Sequence, residues 1–182
     1  MIKRKRDRSL GGGVYYNADD YLGIGPRIVI LIVDGLALLA IVALVTSIYV
    51  LMLGDVSPSF FPMAVFWCWI YEVPLKRSSH RTLGYRLMGV KLVTLKGETP
   101  SILMLSLRSM LWMFGPFNLL FDIVWVAIDV DRQTVRDRYT SMCLVRNDAN
   151  PIGTGEVHLA YFNAGGYSLA YPHVVHSKVA EQ

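Results

Sequence analysis

The sequence predicts an all-α integral membrane protein built from a transmembrane helical hairpin, a broken third and fourth apolar helix region, and a small cytoplasmic cap with room for two short strands. Three observations carry that expectation. Of the 182 residues 53% are hydrophobic and the mean hydropathy is +0.39, outside ordinary soluble composition. Residues 28–53 form an almost unbroken apolar run. The 18 Lys and Arg residues, which give a formal charge of +4, are gathered into a few segments between such runs. That pattern assigns the basic charge to the headgroups of a lipid bilayer and not to nucleic acid.

Residues 1–26 read as a polar N-terminal tail on the cytoplasmic side, opening with MIKRKRDR. As a helix the run 28–53 would be about 39 Å long against a hydrocarbon core of about 30 Å, so it spans with tilt. It begins too late and runs too long for a cleaved signal peptide. The link GDVSP at 54–58 has no Lys or Arg and leads into a second apolar run, 59–75, with Trp67, Trp69 and Tyr71 inside it and Pro74 near its end. At the lower limit of span length, this run closes a transmembrane hairpin with the first. Next comes KRSSHRTLGYRLMGVKLVTLKGETP, residues 76–100, with six Lys or Arg. Basic loops are retained in the cytoplasm, which places this loop and the N-terminus together on the inner side of a cytoplasmic membrane. Within it GVKLVTLKG reads as a strand, with TSMCLVR at 140–146 as its natural partner.

Thr99, Pro100 and Ser101 mark a helix start for the third apolar region, about 101–128, and Gly115, Pro116 and Asn118 interrupt it midway. One bent span would carry residues 129–150 outside, whereas a helical hairpin that dips in and returns keeps Arg132, Arg136, Arg138 and Arg146 in the cytoplasm. The arginines favour the second. Residues 147–182, with YFNAGGYSLAYPHVVH, read as a flexible polar tail, the sharper alternative being a strand that docks a partner. Cys68 and Cys143 lack metal or redox spacing and read as reduced packing residues.

The order of these pieces resembles the RDD family of small membrane proteins. The matching residues are Arg27 opening the first span with Asp34 inside it, then RTLGYRLMGVKLVTLKGETPS, Arg108, and DVDRQTVRDRYTSMCLVR with Asp137; the resemblance covers roughly residues 21–146. Where many members carry a His-Asp pair this chain has Arg136 and Asp137, so a role resting on that histidine does not transfer. The resemblance implies a membrane domain over 27–146 and a part in transport, with the ligand unassigned.

Charges inside apolar runs cost about 2.5–3.5 kcal/mol each when central, so each needs a reason. Arg27 at a helix end either reaches the headgroups or faces inward. Asp34 lies about 10.5 Å further along and nearly on the same face, and its short side chain needs an interior partner. Glu72 falls beside Arg27 if the hairpin is antiparallel. Arg108 and Asp122 sit on the two arms of the broken region, and Arg108 is expected to pair with Asp34 or Asp122. With Asp137 these residues form the expected intramembrane charge network, and Asp34 is the best candidate for a carboxylate that exchanges a proton for a cation.

No nucleophile motif or phosphate loop occurs, so an enzyme is not expected, nor a cofactor. His173 and His176 stand three apart in the tail without acids or cysteines near them in sequence, so no metal site is expected either. Three functions fit: a transporter of a cation or other small ligand working as a homo-oligomer, an accessory or assembly subunit docking partner membrane subunits through its spans and aromatic tails, and a headgroup-binding module.

Overall fold

A computed structural model describes residues 9–111, 117–129, 131–164 and 167–176. In chain order its elements are β1 (Gly12–Tyr15), α1 (Ile24–Leu53), α2 (Phe60–Glu72), α3 (Pro74–Arg77), α4 (Leu83–Leu87), β2 (Val90–Thr94), α5 (Ile102–Met110), α6 (Phe117–Ile128), α7 (Val135–Tyr139), β3 (Met142–Arg146), β4 (Gly153–Ala164) and β5 (Tyr167–Val174). The expected all-α class is therefore wrong. The chain is about 49% helical and 21% strand, with two antiparallel sheets and, among the described residues, one helix long and apolar enough to cross a membrane.

That helix is α1. An 18-residue window of it has a mean hydropathy of 3.1 with only 17% of it buried, whereas the core helix of a soluble protein hides such a surface. It stops at Gly54, whose φ of 88° lets its N–H bond back to Val50 O at 2.8 Å. The expected second span is shorter than its apolar run. α2 has 13 residues, about 20 Å, because the helix is distorted at Val73 (φ −111°, ψ −71°) and Pro74, with no N–H to give, opens the separate turn α3. The helices still pack antiparallel: the rings of Tyr49 and Phe60 meet at 5.7 Å near the link, and Tyr71 reaches Asp34 at the far end.

The strand pair expected in the polar segments is present. β2 and β3 run antiparallel in register from Val90↔Arg146 to Thr94↔Met142, and the ladder buries Val90, Leu92, Met142 and Leu144 in one core with Leu22, Ile30 and Leu105. One strand precedes the third apolar region and the other follows it, so the ladder brings the two ends of that region together. A helix starts where Thr99, Pro100 and Ser101 marked one, but Pro100 precedes the cap instead of filling the first turn: Ser101 caps α5 by accepting from Met104 N at 3.2 Å. The interruption expected at Gly115 and Pro116 lies outside the described residues, as does the basic MIKRKRDR segment.

Both flanking segments fold where tails were expected. β4 and β5 pair from Val157↔Val174 to Ala164↔Tyr167, and β1 joins the other edge of β4 through Gly12↔Glu156 to Tyr15↔Gly153, giving the order β1-β4-β5. This sheet docks on the end of α6 and on α7. Trp125 stacks edge-on against Phe162 (4.7 Å) and Tyr171 (5.9 Å), and the Arg138 guanidinium lies 5.1 Å over the Tyr171 ring.

Candidate functional site

Asp34 is 5% exposed on α1. Its carboxylate accepts three hydrogen bonds, from Tyr71 Oη, Thr82 Oγ1 and Gly84 N, each at 2.8 Å. Two of those donors belong to the first turn of α4, whose N–H groups have no partner within so short a helix, so a side chain from α1 supplies the acceptor. Gly84 makes the approach feasible: a Cβ there would sit 2.9 Å from Ile30 O and 3.0 Å from Asp34 Oδ1. Tyr71 completes the clamp, its hydroxyl accepting from Leu83 N at 3.1 Å. The bonds offset much of the cost of burying the carboxylate. No cationic side chain touches it among the described residues. Asp34 and Glu72 instead line a cavity of about 260 Å³, with Lys76 and Ser109 as its other polar residues. Glu72 is ion-paired to Lys76 one turn on, not to Arg27.

A second cluster is centred on Asp137, which has no exposed side-chain surface. Arg27 Nη1 lies 3.1 Å from Asp137 Oδ2 and Arg108 Nε donates to Oδ1 at 2.7 Å. Asp137 is also half of a capping box: Thr134 N donates to its carboxylate (3.2 Å) while its own N–H donates to Thr134 Oγ1 (3.0 Å). Burial alone would raise the Asp137 carboxyl; the Arg108 and Arg27 guanidiniums outweigh it and hold it well below the usual carboxylate range. Arg27 therefore faces inward and not to the headgroups. Its other donors reach Leu22 O (3.0 Å) and Arg132 O (2.7 Å), the second carbonyl being turned toward it by a residue at φ 47°. The expected pairing of Arg108 with Asp34 or Asp122 is not found. Asp122 instead takes Arg136, which donates to it at 2.6 Å.

The six expected residues thus form two neighbouring groups: Arg27, Arg108 and Asp137 with Asp122 beside them, and Asp34 with Glu72. Leu31 lines the cavities of both. Sequence reasoning missed Tyr71, Thr82, Gly84 and Thr134 as their supports. The signals were present as T-x-G ahead of a short helix and T-x-x-D ahead of another, the second a capping-box spacing. It also left His173 and His176 without acids, whereas the fold brings their nitrogens to 3.5 and 3.1 Å from Asp131. Arg138 donates to His173 Nδ1 at 2.8 Å in the same place. Among the described residues no group of three or more His, Cys, Asp and Glu has the arrangement to hold a metal ion.

Comparison with known families matches a model described as the RDD family over residues 21–141, two thirds of the chain and all six of these charges. The chain belongs to the RDD family. No curated protein and no solved structure matches it. As an RDD protein it is membrane-associated, with α1 as a helix able to cross. The RDD match ends where β3 begins, and β1, β4 and β5 lie wholly outside it.

Proposed function

We propose that this RDD protein passes a small monovalent cation in exchange for protons, working as a homo-oligomer in a cytoplasmic membrane with the β2–β3 cap on the inner side. One observation carries the reading: Asp34 is a buried carboxylate with hydrogen-bond donors but no cationic partner among the described residues, and it opens on a cavity that also holds Glu72. Such a group takes up a proton when a cation leaves and gives it up when one arrives. A hairpin of one full span and one short helix cannot enclose a pathway, so neighbouring copies supply the other walls. The test is cation-driven proton movement in liposomes holding the purified protein. Asp34→Asn is expected to abolish it while the protein still melts cooperatively in detergent; flux equal to wild type in that variant removes the reading.

A second reading, an accessory subunit of a larger membrane complex, is favoured by the sheet that lies outside the RDD match. Leu159 and Tyr161 stand exposed on β4, on alternate positions of one face. Extraction in mild detergent separates the two: co-purification of different chains in fixed stoichiometry supports the subunit, and a homo-oligomer supports the exchanger.

A further inference from the structure

A separate cavity of about 90 Å³ lies between α1, α5, α6 and α7, with Arg27, Arg108, Asp122, Thr134 and Arg136 among its walls. We propose that it binds one phosphate group, carried either by the headgroup of an anionic lipid or by a free phosphate ion. Three guanidiniums meet here, and among the described residues Asp122 and Asp137 are ion-paired to them. Glu72, the next acid along, is matched by Lys76.

Arg108 is the residue with donors to spare. It is 7% exposed and gives Nε to Asp137, and among the described residues its two Nη groups meet no acceptor. A guanidinium offers paired donors at the spacing of two phosphate oxygens, which a lysine does not. Thr134 adds a hydroxyl that accepts from Asp137 N, so its own hydrogen is available to a ligand. The volume suits one compact oxyanion. The place suits a headgroup, because Arg27 and the cavity belong to the first turns of the candidate span α1 and the wall residue Ile28 is 41% exposed. An acyl chain continuing past Ile28 would lie against α1.

The test uses the full chain in detergent micelles, with binding read by native mass spectrometry and by thermal stabilisation. The probes are dioctanoyl phosphatidylglycerol, inorganic phosphate, and dioctanoylglycerol, which has the same tails and no phosphate. One phosphatidylglycerol bound per chain, with weaker binding of phosphate, assigns the lipid; equal binding of the two assigns the free ion. Arg108→Lys, which keeps the charge and loses the fork, is expected to weaken either by about tenfold. Ile28→Trp closes the rim without touching a charge and is expected to abolish binding, so the proposal stays testable if the arginine variant fails to fold. Binding of dioctanoylglycerol as tight as that of phosphatidylglycerol, no binding of either phosphate probe, or wild-type affinity in the Ile28 variant overturns it.

Discussion

A carboxylate with no exposed surface and two guanidiniums upon it, as at Asp137, joins three elements through one charge. Asp137→Asn leaves Arg27 and Arg108 facing each other without their acid, and is expected to cost about 3–5 kcal/mol, read as a large fall in melting temperature in detergent. The same group sets an acid limit. Its folded carboxyl lies below its unfolded value of about 3.9, so its contribution is complete above that pH and is lost as the pH falls toward the folded value. Asp131 acts in the same direction: burial would raise its carboxyl, and His173 and Arg138 together hold it down. Melting temperature is therefore expected to drop steeply below about pH 4, and a drop equally steep in the Asp137→Asn, Asp131→Asn double variant would show that other groups set the limit. Gly84→Ala should cost about 1–3 kcal/mol, since its methyl would press on Ile30 O and Asp34. At this scale the sequence told which residues needed partners and not which partners they found. Asp34 in an apolar run demands an explanation by itself, but Arg108 was argued toward Asp34 or Asp122, and only the fold of α7 turns Asp137 toward it.

Strands β4 and β5 are held to the RDD domain by Trp125, Phe162, Tyr171 and Arg138 rather than by chain continuity alone. Tyr171→Ala removes both the ring contact and the cation–π contact, and is expected to loosen the sheet by about 1–3 kcal/mol. The measurement is limited proteolysis, with new cleavage in the exposed link at 147–152 before any loss of the membrane core. Unchanged protection would place the docking energy elsewhere, in the strip where Tyr15, Leu95, Val157 and Val174 meet. The hairpin was legible in part. Two β-prone runs flank Gly165 and Gly166 in the sequence, which is a hairpin signal, but the small and polar residues among them dilute the alternation. β2 and β3 were easier because each is apolar or β-branched at four of its five positions, as a strand buried by its surroundings requires. The second span misled because an apolar run measures composition, while helix length is set by where the backbone breaks, here at Val73 and Pro74.

The whole molecule puts its polar elements at one end: the Tyr21–Val145 bridge, the β2–β3 ladder and the Arg27–Asp137 pair bind the flanks, the basic loop and the segment after α6 together. In a background of Cys68→Ser and Cys143→Ala, single cysteines at Ser79→Cys and Thr154→Cys should label with a membrane-impermeant reagent from the same face of sealed vesicles. Asp55→Cys, in the link between α1 and α2, should label from the opposite face. Labelling of all three from one face would mean that α1 does not cross. The order of segments was readable from the sequence, and the side expected from where Lys and Arg gather is what the labelling tests. The share of strand was not readable, because the strands sit in short polar segments while the apolar runs dominate the composition. The ladder also has a bearing on biosynthesis. Thr94 leaves the ribosome long before Met142, its partner, so β2 waits unpaired while the apolar residues between them are made. A nascent chain ending before β3 presents β2 as an unpaired edge beside an apolar segment, the kind of surface that quality-control proteases and chaperones engage. Closure of the β2–β3 ladder thus waits for residues 142–146, and only the strands β4 and β5 are made after it.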